Sequence, residues 1–183
     1  MRKLYLSAGH SAQDGVDQGA QGNGYSEGKL TSELRALIAK DLETLGVTAN
    51  VDSDYSVTGQ TVRLFKTMVS GADVAIDIHF NAAASELATG AEVLVPGVAS
   101  TFERVFAADL AKTIAEVLNI KNRGVKTELE SARKKLLWME IPCENILIEV
   151  CFISNATDMK MYKENKFTLS KKLATLIKSY LSK

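Results

Sequence analysis

Residues 74–80 read Val-Ala-Ile-Asp-Ile-His-Phe, an apolar run of strand length that carries one aspartate and one histidine. A run of this kind belongs inside a largely parallel sheet, where strands are buried on both faces and read as nearly continuous hydrophobic stretches. Working towards the N-terminus, Val62, Phe65 and Val69 suggest a helix, and Val47, Ala49 and Val51 alternate as a strand. Leu30, Leu34, Leu37, Ile38, Leu42 and Leu45 recur at helical spacing, with Gly46 placed for a left-handed cap. A polar, glycine-rich loop is expected over Ser11 to Gly28, and Lys3 to Ser7 reads as a first strand broken by Gly9. Towards the C-terminus, Gly90 to Val95 has strand character, and Phe102, Val105, Phe106, Leu110, Ile114, Val117 and Leu118 mark a long helix reaching Asn119. Ile146 to Phe152 is a second buried strand, and Leu169, Leu173, Leu176, Ile177 and Tyr180 form the stripe of a closing helix. This alternation implies an α/β fold, with a central, mostly parallel twisted sheet flanked by helices on both faces. No repeat, linker or separate binding module interrupts the pattern, and Pro96 and Pro142 fall between elements. Residues 1–183 are therefore read as one domain.

Composition narrows the function. At 183 residues, with 46% hydrophobic and 24% charged, the chain suffices for one well-packed core. Lysine plus arginine equals aspartate plus glutamate at 22 each, so no basic excess points to nucleic acid or an anionic membrane. No apolar run approaches the roughly 18 residues of a membrane span. Met1 to Leu6 falls short of a secretory hydrophobic region, which leads to the expectation of cytoplasmic synthesis. Cys143 and Cys151 are too few for a disulfide framework and lack CxxC spacing; two buried thiols is the preferred reading, with a bridge as the alternative. Oligomeric state is left open, a monomer being the simpler expectation.

In open α/β sheets, sites form beyond the carboxyl ends of the strands. The only two histidines, His10 and His79, fall at such ends, and Glu149 lies near the end of Ile146 to Phe152. A carboxylate flanked by Leu147, Ile148 and Val150 is costly there unless paired or metal-bound. Each residue has a bland reading when taken alone. A histidine is more often solvated or hydrogen-bonded than a ligand. Glu149 fits half of a buried ion pair with Arg123 or Arg133, and Glu27 fits the acidic preference of a helix start. Taken together, two imidazoles and one carboxylate (His10, His79 and Glu27) make a recurrent three-ligand zinc set that leaves a fourth position open, and Glu149 remains as a base. Asp77 shares a strand face with His79 and either orients the imidazole or binds a loop amide. Gly22-Asn23-Gly24 lacks the spacing of a phosphate loop and reads as a turn. Cys151 is expected on the face of Glu149, as a structural thiol.

These blocks, in this order, resemble the zinc-dependent N-acetylmuramoyl-L-alanine amidases of the amidase-3 type, found in bacterial autolysins and phage lysins. Ser7-Ala8-Gly9-His10 resembles the opening strand and first ligand, and Gly22 to Gly28, read as GNGYSEG, the loop that brings in the glutamate ligand. Asp77-Ile78-His79-Phe80-Asn81-Ala82 resembles the second histidine motif. Asn122-Arg123-Gly124-Val125-Lys126 resembles the segment after the long helix, and Leu147 to Asn155, read as LIEVCFISN, the catalytic-glutamate motif. Ser11 to Gln18 departs from the glycine pair and Asp-Pro usual in the family's first loop. The resemblance implies one zinc ion on His10, Glu27 and His79, Glu149 as general base, and hydrolysis of the bond between N-acetylmuramic acid and L-alanine in bacterial peptidoglycan. A bare catalytic domain is most similar to a phage or prophage lysin, reaching the wall after release during lysis. The alternatives are a zinc peptidase or deacetylase with another substrate, or a non-catalytic wall-binding relative. Ala82 to Thr89 and Thr127 to Glu140 are the two candidates for a segment that covers the site.

Overall fold

The computed structural model describes residues 1–131 and 133–183. The chain runs β1 (Leu4–Ala8), β2 (Gln21–Gly22), β3 (Tyr25–Ser26), α1 (Glu27–Thr44), β4 (Ala49–Val51), α2 (Thr58–Lys66), β5 (Val74–Asn81) and β6 (Ala91–Val95). It continues through α3 (Thr101–Leu118), β7 (Asn122–Thr127), β8 (Glu144–Phe152) and α4 (Ala156–Leu181), with short 3-10 turns at Glu128–Glu130 and Leu137–Glu140. The main sheet has the order β4-β1-β5-β8-β6-β7. Its neighbours are parallel except β6 and β8, which meet antiparallel, so the mostly parallel sheet is borne out. No helix among the described residues is long and apolar enough to cross a membrane.

Successive side chains of a strand point to opposite faces, and this divides β5 between two environments. Val74, Ile76, Ile78 and Phe80 enter a large core with α1, α3 and α4, while Ala75 joins Tyr5, Leu94 and Leu147 in a smaller one under α2 and Trp138. Both faces are covered, as expected, but unequally. Three long helices close one face, and on the other a nine-residue helix and a 3-10 turn leave the carboxyl end of the sheet as a cleft. Asp77 and His79 follow Ala75 on that second face.

The helix signals act as read. Leu30, Leu34, Ile38 and Leu42 are fully buried along α1, which stops where Gly46 takes φ +77° and Val47 N–H donates to Leu42 O at 3.0 Å. In α3, Ser100 accepts from Glu103 N–H at 3.0 Å and Glu103 accepts in return from Ser100 N–H at 2.7 Å.

Four details differ from expectation. The loop from Ser11 to Gly28 contains the hairpin β2–β3, whose turn residues Asn23 and Gly24 take φ 50° and 79°, the left-handed pair of a type I′ turn. Asn122–Thr127 is an edge strand without a hydrophobic run, because half-buried edge positions do not demand one. Helix α4 begins well before its apolar stripe, capped by Asn155 accepting from Asp158 N–H at 2.9 Å. A register shift between His79 and Asn81 turns Cys151 into the large core, away from the face of Glu149. Both cysteines are free, Cys151 buried and Cys143 half-buried.

Beneath the cleft, the buried Asp52 carboxylate accepts from Ala8 N–H at 3.2 Å, Ser7 Oγ at 3.1 Å and Thr61 Oγ1 at 3.0 Å. Arg35 pairs with it and with Asp54, tying α1 to the ends of β1 and β4. Burial pushes the Asp52 carboxyl up, and Arg35 opposes that shift. Arg35→Met strands this carboxylate without its cation and is expected to destabilise the fold by about 3 kcal/mol, read as a lowered urea midpoint at neutral pH.

Candidate metal centre

His10, Glu27 and His79 come from three separate segments and converge at the carboxyl ends of β1 and β5. Each offers a ligand atom within 4.8 Å of those of the other two. Glu27 opens α1, but its carboxylate is not spent on capping that helix. It reaches back to the sheet, where Oε1 accepts from Phe80 N–H at 3.0 Å and Oε2 from Ala20 N–H at 2.8 Å. The same two oxygens face the imidazoles, Oε1 at 2.9 Å from His79 Nδ1 and Oε2 at 3.4 Å from His10 Nε2. His10 itself takes φ 68°, a left-handed conformation rare for a side chain of this size, at the point where the chain leaves β1.

Each imidazole has a second carboxylate on its outer nitrogen. Asp77 Oδ2 lies 3.0 Å from His79 Nε2, and Asp17 Oδ1 lies 2.9 Å from His10 Nδ1. Carboxylates so placed fix ring orientation and tautomer and raise the basicity of the nitrogen that faces the cluster. Asp77 therefore orients His79, one of the two roles open to it from sequence. Asp17 carries no mark in the sequence, since nothing in its exposed loop gives it a recognisable spacing from His10.

Electrostatics and shape both fit a cation. Burial raises the Glu27 pKa, but the His79 hydrogen bond and the two imidazole charges outweigh it, so the carboxyl stays below its usual range. For His79, burial disfavours the charge, but Asp77 and Glu27 outweigh that and hold its pKa well above the ordinary value. Glycines leave room for the two imidazole rings, which meet edge to face with centroids 5.1 Å apart. A Cβ on Gly9 would lie 2.4 Å from the His79 ring, and one on Gly19, whose φ is +68°, would lie 2.5 Å from Glu27 Oε2. Asp77 Oδ1 and Glu149 Oε2 are buried polar atoms without a hydrogen-bond partner among the described residues. Two imidazoles, one buried carboxylate and uncompensated negative charge around them fit a single zinc ion.

Glu149 stands beside this cluster, its Cα paired in register with that of His79 across β5 and β8. It is not in the ion pair that the bland reading offered. Arg123 is bound to Glu92 instead, which also takes Lys126 at 2.6 Å and Asn81 Nδ2 at 2.9 Å. Burial pushes the Glu149 carboxyl up to about 8, partly offset by His79 and reinforced by Glu27, Glu92 and Asp77. The cleft around these groups, of about 1090 Å³, includes Glu130, Ser131, Arg133, Lys135, Leu136 and Trp138 among its lining. Of the two candidate covering segments, the described residues of Thr127 to Glu140 thus supply a wall, and Ala82 to Thr89 contributes only Ala82.

An open α/β sheet that gathers two histidines and two glutamates at its carboxyl end has the donor set of a zinc-dependent hydrolase. The family described as amidase-3, N-acetylmuramoyl-L-alanine amidase, matches residues 4–179, and the chain belongs to this family. It is 28% identical over 169 residues to the N-acetylmuramoyl-L-alanine amidase LytC of Bacillus subtilis, covering 88% of this chain and 31% of LytC. Cwp6 from Clostridium difficile has the same fold at a TM-score of 0.82 and 25% identity, over 98% of this chain and 29% of that one. The catalytic domain of the CD27L endolysin targeting Clostridium difficile is similar in fold at a TM-score of 0.75 and 20% identity, over 100% of this chain and 98% of that one. The chain thus spans about a third of the length of LytC and of Cwp6.

Two measurements test this site. Asp77→Asn keeps the size of the side chain but lowers the basicity of His79, and is expected to weaken zinc about 10–100-fold in competition with a chromophoric chelator. The second concerns Glu149 in the metal-free protein. Its folded pKa of about 8 lies above the ordinary glutamate value of 4.5, so the folded state holds an extra proton between those values. The associated stability is fully present below the lower value and is lost as pH rises through the upper one. With chelator present, Glu149→Gln should match the wild type near pH 4.5 and exceed its melting temperature by roughly 5 °C near pH 9. Equal curves at both pH values would contradict the burial of this charge.

Proposed function

We propose that this chain hydrolyses the amide bond between N-acetylmuramic acid and L-alanine in bacterial peptidoglycan, with His10, Glu27 and His79 as zinc ligands and Glu149 as general base. The observation that carries the reading is the pairing of His79 with Glu149 on adjacent strands, which sets a buried, unpaired carboxylate oxygen next to the ligand cluster. When bound, zinc supplies Lewis acidity, drawing density from a carbonyl oxygen and lowering the pKa of water from about 16 towards about 7.

The chain's own groups do the rest. Glu27 and His79 are oriented by Phe80 N–H, Ala20 N–H and Asp77, so the ligand geometry is set before substrate arrives. Glu149 takes a proton from the attacking water and returns it to the departing amine of L-alanine, the step that otherwise limits amide cleavage. Its raised pKa suits the second half of this cycle, since a carboxyl near 8 holds a proton long enough to deliver it. The positive charge of a bound cation lowers that value and favours the carboxylate that the first half requires.

Purified protein incubated with intact peptidoglycan, with zinc or with a chelator, is expected to release stem peptides bearing a free L-alanine amine only when metal is present. Glu149→Gln should bind one zinc per chain and release at least about a thousandfold less product. His79→Ala should lose both metal and activity. Products cut within the stem peptide or deacetylated sugars would replace the substrate while leaving the site intact.

A further inference from the structure

The cleft is not electrically uniform along the sheet. In register across the strands lie His79 on β5, Glu149 on β8, Glu92 on β6 and Gly124 on β7. Acidic groups crowd the β1–β5 end, where the metal cluster sits. At the β7 end the lining changes sign, with Arg123, Lys126, Arg133 and Lys135 set against Glu92 and Glu130. Glu92 is shared by Arg123 and Lys126, one carboxylate for two cations. Glu130 is engaged by Thr127 N–H at 2.8 Å and Thr127 Oγ1 at 3.0 Å. Lys135 is held at 3.0 Å by Glu140, outside the lining, and the exposed Arg133 has no carboxylate partner among the described residues.

We propose that the wall formed by β7 and the Thr127 to Glu140 segment binds a carboxylate of the stem peptide on the amine side of the scissile bond, with Arg133 as the principal contact. The inference rests on the amidase reading. In such a substrate the glycan side is uncharged at the reacting unit, and the peptide side carries the free carboxylates, so only the peptide gains from a cationic wall. Strands about 4.8 Å apart set β7 roughly 10 Å from Glu149, a distance spanned by about three extended residues. That places the wall within reach of the carboxylates that follow L-alanine. The depression at the opposite end shares Gln18 with the cleft and is lined by Gln21 and Tyr25 together with Lys29, Glu33 and Lys163, of which Lys29 is paired with Asp14 and Glu33 with Lys166. Arginine suits the role, since its planar guanidinium binds a carboxylate through two parallel hydrogen bonds.

The test uses the zinc-loaded enzyme and muramoyl tripeptides that differ only in which stem carboxylate is amidated. Wild type is expected to lose about tenfold or more in kcat/KM, mostly through KM, when one particular carboxylate is amidated. Arg133→Gln should lower kcat/KM for the free acid to that of its amide and leave the amide unchanged. If every amide is cut as well as the free acid, or if the variant loses equally on both, the carboxylate contact is wrong while the amidase reading stands. Failure to cut any of the compounds at the lactyl amide would overturn the amidase reading and this inference with it.

Discussion

Everything at this site follows from the two-residue alternation of side chains along β5. Its even-numbered residues, Val74 to Phe80, are committed to the large core, and with them the strand's depth and register are set. The odd-numbered Ala75, Asp77 and His79 are thereby forced to the other face, where a slip of one residue would bury the histidine in hydrocarbon. Packing thus does the positioning. The ligand is placed by apolar contacts on the far side of the strand, so the metal does not have to organise the backbone that holds it.

The unequal cover of the two faces turns that placement into a site. Helices α1, α3 and α4 seal one side with a continuous core, while α2 and Trp138 seal only the part of the other face near Tyr5, Ala75, Leu94 and Leu147. Beyond them the sheet is polar and open. Acidic groups can collect there at tolerable cost where each has a partner. Asp52 has Arg35 and three donors, Glu92 has Arg123 and Lys126, and Glu27 has two backbone amides and two imidazoles. Glu149 is the exception, and its unpartnered oxygen beside the cluster is the feature least explained by folding and best explained by chemistry.

The glycines and the hairpin show how close the packing around the cluster is. Gly22 sits against Ile153 O, and Asn23 Nδ2 donates to the same carbonyl at 2.8 Å, so the β2–β3 hairpin is docked on the end of β8. Gly28 passes Ser11 O so closely that a Cβ there would lie 2.1 Å away. Thr31 Oγ1 donates to Gly9 O at 2.7 Å, joining α1 to the turn that carries His10. A long polar segment with few hydrophobic residues is thereby held in place by backbone contacts, and it brings Glu27 and Asp17 to the histidines.

The sequence by itself determined the elements that carry strong periodicity and the residues whose chemistry is costly in their surroundings. The buried strands, the amphipathic stripes of α1 and α3, the Gly46 cap and the strand-end placing of His10, His79 and Glu149 belong here, because burial of apolar side chains and isolation of charged ones leave marks that are local in the chain; Glu27, which alone reads as an ordinary helix-start acid, joins the set through the family resemblance. The tertiary structure alone decided what depends on separated segments meeting. It placed Asp17 on His10, settled Asp77 as the partner of His79, moved Arg123 from Glu149 to Glu92, and turned Cys151 into the core through a one-residue bulge. It also made a strand of Asn122–Thr127, whose pairing with β6 comes from the neighbouring backbone and not from its own side chains. Local pattern reports what a side chain needs, whereas the identity of the group that meets the need is set by sheet order and register, which no short stretch of sequence contains.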